Sequence, residues 1–164
     1  GPALFAQERV GHLGRRFRIF KFRTMHVNAE TVSHQDHLKH LMEADVPLQK
    51  LDAQGDRRII PCGKLLRASG LDELPQVLNV LRGEMSIVGP RTTSFAASTY
   101  DLWHSERLEV TPGITGLWQI KGRGTMTFDE RLRLDIEYIE RRSIGLDLRI
   151  MVMTALAVFR GSGA

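Results

Sequence analysis

Two adjacent carboxylates, Asp72 and Glu73, stand in the stretch SGLDELPQVLNVLRGEMSIVGPR, directly ahead of a proline and an apolar helical pattern. Arginines lie on both sides of the pair in the sequence, with Arg67 before it and Arg91 after it. The planar guanidinium fork suits phosphate and carboxylate partners. The residue types therefore indicate a site that handles phosphate, although on spacing alone Asp72 could be only a helix cap and Glu73 only a first-turn acid.

These carboxylates are predicted to open a helix. Asp72 is a suitable N-cap, and Pro75 falls in the first turn, where its missing N–H costs nothing. Gly83 is a natural helix stop. Between these residues apolar positions recur at helical spacing, at Leu74, Val77, Leu78 and Leu81. The positive end of the helix dipole would then keep the carboxylates ionised and favour anions nearby.

The surrounding sequence predicts short strands and further helices. RRFRIFKFRTM alternates basic and apolar residues, which indicates a strand or hairpin after the GHLG turn, and SIVGPR and GLWQI are predicted as strands. FDERLRLDIEYIERRS has a helical apolar face, and Asp135 beside that face is expected to pair with an arginine because an unpaired buried carboxylate is costly. The sequence predicts an α+β fold, mainly helical, with a small short-stranded sheet.

The last apolar segment, LDLRIMVMTALAVFRGSG, has Asp147 as its candidate cap. Its apolar residues spread around too much of the helix for a simple soluble face, so it is either a deeply packed helix or one at a lipid surface. The run from Ile150 to Phe159 is shorter than the roughly 20 residues that a membrane-spanning helix needs.

Length and composition fit an ordinary globular chain. A length of 164 residues predicts a single domain over residues 1–164, and contents of 42% hydrophobic and 26% charged residues exclude a wholly disordered chain. The balance of 23 basic to 19 acidic residues is basic. The one cysteine, Cys62, cannot form an internal disulfide and is predicted to be buried between apolar neighbours.

Two other kinds of site are considered and set aside. His34, His37 and His40 recur every third residue, but steps of three drift around a helix and no cysteine lies nearby to complete a zinc site. The aromatic residues interleaved with cations in RRFRIFKFRTM could stack on nucleic-acid bases, but they are expected to fill the core instead.

Five ordered blocks resemble the bacterial sugar transferase family, the monotopic phosphoglycosyl transferases that are also called undecaprenyl-phosphate sugar phosphotransferases. The blocks are GPALFAQERVG, FKFRTM, LDELPQVLNVLRGEMSIVGPR, PGITGLWQIKGR and LDIEYI. The resemblance implies transfer of a sugar-1-phosphate from a UDP-sugar to undecaprenyl phosphate at the cytoplasmic face of the bacterial inner membrane, which initiates exopolysaccharide or glycoconjugate biosynthesis. It also implies amphipathic helices at the membrane surface, and an N-terminal re-entrant membrane hairpin, which we expect to be absent from these 164 residues.

The resemblance implies roles for individual residues as well. Asp72 would attack the phosphorus that bears the sugar, form a phosphoaspartate and release UMP, while Glu73, helped by Asp72, would hold Mg²⁺. The basic positions of the family's phosphate pocket are matched by Lys21, Arg67 and Arg91. Asp135 matches a later acidic position and would support the site by pairing with one of these arginines.

Two rival functions stay open. A soluble Mg-dependent phosphohydrolase acting on nucleotide sugars would use the same pocket, with water as the acceptor. A basic nucleic-acid module would bind with a steep salt dependence and be indifferent to Asp72→Asn, but no nucleic-acid partner is expected. The sugar, the base of the donor and the oligomeric state stay open too.

Overall fold

The structure, a computed structural model, describes residues 1–26, 58–92, 102–122 and 126–159. Its N-terminal element is a β-hairpin, in which strand β1 (Leu4–Val10) pairs antiparallel with strand β2 (Arg16–Phe22) around a short turn at His12–Gly14. The register sets Phe5 opposite Lys21. Of the two alternatives predicted after the GHLG turn, a strand or a hairpin, the strand is confirmed as β2, and the turn itself joins β2 to β1.

A second, parallel pair of strands lies after the dyad in the sequence. Strand β3 (Ser86–Val88) pairs with strand β4 (Gly113–Thr115), with Val88 opposite Thr115. The backbones approach closely beyond β3, because a Cβ added to Gly89 would lie 2.7 Å from the carbonyl oxygen of Thr111. The predicted SIVGPR strand is confirmed, and glycine is the residue that permits this approach.

Helices make up most of the remaining described structure. The α-helices are α1 (Gly63–Ser69), α2 (Val77–Leu81), α3 (Leu117–Lys121), α4 (Phe128–Arg141) and α5 (Ile144–Phe159). Two further segments, Leu71–Gln76 and Leu102–Glu109, are 3₁₀ helices. The fold is α+β, as predicted, and about half of the described structure is helical. The single small sheet that was predicted is replaced by two separate two-stranded sheets in the part of the chain described.

The predicted GLWQI strand is wrong, because these residues belong to α3. The strand ends earlier, at Thr115, and Gly116 is extended at φ −157° before the helix begins. A short apolar run fits a strand and a buried helical turn equally well by periodicity alone. Helix α3 has Leu117 buried in the core, so packing selects the helix.

Helix α4, which carries Asp135, has a strong local start signal. The Thr127 side chain accepts a hydrogen bond from the backbone N–H of Glu130, and the Glu130 side chain accepts one from the backbone N–H of Thr127. This reciprocal capping box satisfies two backbone donors at the helix N-terminus. The helix predicted from FDERLRLDIEYIERRS is confirmed.

The buried core joins the parallel strands to the last two helices. Val88, Leu117, Tyr138 and Ile150 form one hydrophobic cluster. The Tyr138 hydroxyl group donates to Asp147 Oδ1 at 2.8 Å and lies 3.3 Å from the carbonyl oxygen of Val88. These contacts fix α4 and α5 against β3, the strand that leads to Arg91.

The prediction that Asp147 caps the last helix is wrong. Helix α5 begins at Ile144, and the hydroxyl oxygen of Ser143 accepts from the backbone N–H of Leu146 at 3.2 Å, as an N-cap does. Asp147 lies inside the first turn and binds Tyr138 instead. The Asp147 side chain therefore accepts a tertiary hydrogen bond from Tyr138 instead of capping the helix.

Apolar side chains cover much of the outside of the described helices. On α5 only Ile150 is buried, while Leu148, Val152 and Phe159 are exposed. Of the two alternatives for this helix, deep packing is therefore excluded. None of the described helices is both long and apolar enough to cross a bilayer.

The prediction of a buried Cys62 is also wrong, because the thiol is exposed.

Candidate active site

A left-handed glycine positions the Asp72–Glu73 dyad. Gly70, at φ +69°, ends α1 and immediately precedes the 3₁₀ helix Leu71–Gln76, here called the dyad helix. The prediction of Asp72 as an N-cap is wrong, since Gly70 holds that position and no side chain caps the dyad helix. A residue with a Cβ would be strained at this backbone conformation. Asp72 is thereby freed from capping.

The 3₁₀ geometry sorts the side chains of the dyad helix into three faces, because residues three apart eclipse each other. Leu71 and Leu74 share an exposed face, at 45% and 54% exposure. Asp72 lies on a second face and is buried. Glu73 and Gln76 share the third face, which is buried as well.

Glu73 is held by two cations from distant parts of the chain. Lys21 on β2 donates to its Oε1 at 2.9 Å, Arg91 Nη2 donates to the same oxygen, and Arg91 Nη1 donates to Oε2 at 3.4 Å. Burial would raise the pKa of Glu73, but Arg91 and Lys21 outweigh burial and hold that pKa well below its usual range. Glu73 is therefore a fixed anion.

Asp72 is in the opposite situation. It is 7% exposed, and no hydrogen bond reaches its Oδ1 atom in the part of the chain that is described. Burial raises the pKa of Asp72, and the charge of Glu73 adds to the rise, against the cations Lys21, Arg67 and Arg91. A buried polar atom without a partner costs about 1–3 kcal/mol. Such an atom is a candidate for contact with a substrate.

Four of the six predicted site residues come together directly. Lys21, Asp72, Glu73 and Arg91 form one electrostatic cluster, and Arg67 on α1 acts on the pKa of Asp72. Burial and the neighbouring Arg91 lower the pKa of Lys21, although Glu73 opposes this, while Glu73 raises the pKa of Arg91. Lys21 and Arg91 therefore line one side of the dyad, here called the cationic wall.

The sixth residue, Asp135, pairs with an arginine outside the predicted set. Its Oδ2 lies 2.7 Å from Nη2 of Arg107, and that same nitrogen donates to the carbonyl oxygen of Arg91 at 2.6 Å. Burial raises the pKa of Asp135 to about 6, although Arg107 and Arg91 oppose this. The expected pairing with Arg67 or Arg91 is wrong, and Asp135 supports the site through Arg107 and the Arg91 backbone.

Sequence reasoning missed Arg107 because a lone arginine in SERLEV carries no local signal. It also missed Asn79, which is fully buried on α2. Asn79 Nδ2 donates to the carbonyl oxygen of Arg18 at 2.7 Å, and its Oδ1 accepts from Phe20 N at 3.2 Å. These bonds fasten β2, which carries Lys21, to the helix that follows the dyad. A polar residue inside an apolar repeat was the available signal.

Arg131 is a third missed residue. Its guanidinium carbon lies 4.5 Å from the ring centroid of Trp118, a cation–π contact between α4 and α3. Burial lowers the pKa of Arg131, and Arg91 lowers it further. This arginine therefore adds to the positive potential around Arg91.

The dyad could supply ligands for a metal ion, although no described residues form a cluster of three or more histidine, cysteine, aspartate or glutamate side chains suited to one. The histidines considered for zinc lie outside the described residues. Glu73 Oε1 already accepts two hydrogen bonds, whereas Oε2 accepts one long bond and Asp72 Oδ1 accepts none. Magnesium typically takes one or two carboxylates plus phosphate oxygens, so Asp72 Oδ1 and the weakly bonded Glu73 Oε2 could serve as two of its ligands.

Comparison with known proteins identifies the family of the chain. The profile of the family described as bacterial sugar transferase matches residues 1–161. The galactosyl transferase CpsE of Streptococcus agalactiae is 45% identical over 166 residues, which cover 100% of this chain and 36% of CpsE. The exopolysaccharide production protein ExoY of Sinorhizobium fredii is 37% identical over 165 residues, which cover 100% of this chain and 73% of ExoY.

A third relative has a more specific name. The UDP-glucose:undecaprenyl-phosphate glucose-1-phosphate transferase of Xanthomonas campestris is 42% identical over 167 residues, which cover 96% of this chain and 32% of that protein. The chain thus spans about a third of the length of CpsE and of the Xanthomonas protein. Since the family profile covers residues 1–161, the chain belongs to the bacterial sugar transferase family.

Proposed function

We propose that the chain transfers a sugar-1-phosphate from a UDP-sugar to undecaprenyl phosphate, through a phosphoaspartate on Asp72. The names of the relatives from Xanthomonas and Sinorhizobium support this reaction and a role in exopolysaccharide production. The observation that carries the proposal is the contrast within the dyad. Glu73 is bound by Lys21 and Arg91, whereas Asp72 keeps a buried oxygen without a hydrogen-bond partner among the described residues.

The first step forms a bond between a carboxylate oxygen of Asp72 and the phosphorus that bears the sugar. The bond from that phosphorus to the bridging oxygen breaks, and UMP departs with the electron pair. The raised pKa of Asp72 makes its carboxylate a better nucleophile than an exposed one once it is ionised. Two easier displacements then replace a single difficult one.

The second step reverses the role of Asp72. An oxygen of undecaprenyl phosphate attacks the same phosphorus, and the Asp72 carboxylate leaves, so the lipid diphosphate sugar forms and the enzyme is regenerated. Lys21 and Arg91 lie beside the dyad, where they would stabilise the negative charge that builds up on the phosphoryl oxygens. Arg67, which acts on Asp72 electrostatically, is assigned to the same phosphate pocket.

Magnesium would be held by Glu73 with help from Asp72, and when bound it would neutralise charge on the diphosphate. Its support is the free coordination capacity of Glu73 Oε2 and Asp72 Oδ1. Magnesium-dependent formation of the Asp72 adduct, lost on chelation and restored by adding the ion back, is the expected result.

An apolar surface beside the dyad supports the proposal that the protein acts at a membrane. We assign this surface to contact with the cytoplasmic leaflet of the inner membrane. Leu71, Leu74 and Leu81 are exposed on the dyad helix and α2. A Cβ on Gly70 would lie 3.9 Å from Val158 on α5, so the start of the dyad helix lies close to α5, a helix that carries further exposed apolar side chains. Exposed apolar patches that are contiguous commonly mark membrane or partner contacts.

The test is to trap the covalent intermediate. The protein is incubated with UDP-glucose or UDP-galactose without lipid, and the adduct is located by peptide mass spectrometry. The expected result is a sugar phosphate on Asp72, absent in Asp72→Asn and retained in Glu140→Gln, which changes an exposed carboxylate. An adduct on Cys62 or on a histidine would overturn the mechanism.

Product analysis then separates transfer from hydrolysis. With undecaprenyl phosphate present, the proposal predicts a lipid-linked sugar diphosphate that appears as the adduct disappears. Free sugar phosphate formed at the same rate with and without the lipid would instead identify a phosphohydrolase.

A further inference from the structure

Gln76, the last residue of the dyad helix, has a buried amide donor with no partner. The side chain is 2% exposed, and its Nε2 atom makes no hydrogen bond to any described residue. Buried donors in folded proteins are nearly always satisfied, because an unmet one forfeits its bonds to water. An orphan donor of this kind therefore calls for an explanation.

The position of Gln76 indicates where its missing partner would lie. Gln76 follows Glu73 by three residues in a 3₁₀ helix, so both side chains project from the same face. On that face Lys21 and Arg91 already bond Glu73. The Gln76 side chain thus lies on the face of the dyad helix whose glutamate bonds the cationic wall.

The chemistry of that wall identifies the class of partner. Lys21 and Arg91 are donors only, and so neither can accept a bond from the Gln76 amide. Glu73, the acceptor on this face, accepts from the two cations, chiefly through Oε1, and makes no hydrogen bond to Gln76. A surface on which N–H donors outnumber the acceptors fits an anionic oxygen.

We propose that Gln76 binds substrate by donating a hydrogen bond from Nε2 to a phosphoryl oxygen at the dyad. This inference deepens the proposed function and rests on it. The oxygen could belong to the diphosphate of the nucleotide sugar or to the phosphate of the lipid acceptor, and the two half-reactions distinguish them. An unmet donor in the free protein becomes satisfied only when the substrate is bound.

The informative variant is Gln76→Met, which keeps the length of the side chain but removes both amide hydrogens. Replacing an unsatisfied buried amide with an apolar group of similar shape should stabilise the free protein. We expect the Tm to rise by about 2–4 °C. We also expect adduct formation from UDP-glucose to slow by about 10–100-fold, the range for loss of one hydrogen bond to a charged group.

Gln7→Met on β1 is the matched control, because the Oε1 atom of Gln7 accepts from Arg9 at 2.6 Å. Its Tm should stay level or fall, and adduct formation should not change. Gln76→Glu is a second variant, which removes the donors and adds a negative charge where a phosphate would bind. It should weaken UDP-glucose binding, measured by titration calorimetry, more than Gln76→Met does.

Measuring adduct formation and lipid transfer separately shows which phosphate Gln76 contacts. Slower adduct formation without lipid places the diphosphate on Gln76, whereas normal adduct formation followed by slower transfer to undecaprenyl phosphate places the lipid phosphate there. A Tm that falls in Gln76→Met overturns the inference, since Nε2 would then have a partner within the protein. So does a variant in which the Kd for UDP-glucose and both half-reactions are unaltered.

Failure of the inference differs from failure of the proposed function. A wild-type protein that forms no Asp72 adduct contradicts the proposed function, and the Tm and Kd measurements still test the Gln76 contact. Adduct formation that proceeds equally well in the wild type and Gln76→Met contradicts the diphosphate contact and leaves the phosphoaspartate mechanism intact.

Discussion

Asp135 should make the stability of this protein depend on pH, and replacement by asparagine should remove that dependence. The side chain is 1% exposed, and burial raises its pKa to about 6 despite Arg107 and Arg91. Because the folded pKa exceeds the ordinary value of 3.8, the folded state binds more protons than the unfolded state between these two pH values. Stability therefore falls as the pH rises from about 4 to about 6.

The magnitude follows from the pKa. The difference between about 6 and 3.8 is about 2 pH units, and one unit corresponds to about 1.4 kcal/mol, which gives roughly 3 kcal/mol. For a chain of this size, that free energy corresponds to about 6–12 °C in Tm. The loss of stability caused by ionisation of Asp135 is small near pH 4 and reaches its full value above pH 6.

The assay compares wild type with Asp135→Asn in urea unfolding, followed by circular dichroism, at half-unit steps from pH 4 to pH 7.5. Every other titrating group is common to both proteins, so the difference in unfolding free energy isolates Asp135. Glu140→Gln, on the exposed side of the same helix, is the control and should track the wild type.

The wild type should lose about 3 kcal/mol relative to Asp135→Asn across this range. The ion pair with Arg107 exists only while Asp135 is ionised, so its contribution is already contained in the pKa of Asp135. A difference that is flat with pH, or one in which the wild type gains stability as the pH rises, would refute the reasoning.

Two further substitutions test the framework of the site. Glu73→Gln leaves Lys21 and Arg91 without their counter-ion. Because these cations are only 22% and 32% exposed, we expect the free energy of unfolding, measured in urea, to fall by about 2–4 kcal/mol. Unchanged or increased stability would contradict the ion-pair assignment. Asn79→Ala removes the hydrogen bonds to Arg18 and Phe20. We expect the free energy of unfolding to fall by about 3 kcal/mol, and adduct formation to slow because β2 is displaced. A fall of less than about 1 kcal/mol would mean that these bonds do not hold the strand in place.

Much of the local structure could be predicted from the sequence because its signals are local. Strand β2 follows from the alternation in RRFRIFKFRTM, and the helix Phe128–Arg141 follows from its apolar period. Gly83 stops α2 in the left-handed conformation at φ +73°, as expected. Where two structures shared one local pattern, as in GLWQI, packing decided the outcome and the sequence prediction was wrong.

The candidate site was predictable in its charges but not in its pairings. The positions of Lys21 and Arg91 came from the family resemblance, and the structure unites them on Glu73. The partner of Asp135 could not be predicted, because Arg107 lies far away in sequence and any of several arginines could have served. The helix type of the dyad was also inaccessible, since Leu74 fits an α-helical repeat although the observed 3₁₀ turn exposes it.

Lys21 and Arg91 keep N–H donors for a phosphate even while both cations bind Glu73. An ammonium group has three donors and a guanidinium group has five, whereas Glu73 uses one donor of Lys21 and two of Arg91. A phosphate can therefore share both cations without displacing Glu73. The fixed charge of Glu73 also raises the pKa of Asp72, so that the dyad holds one carboxylate as an anchor and its neighbour as a stronger base. Separation of two adjacent carboxylates in this way is how a site assigns them different chemical roles.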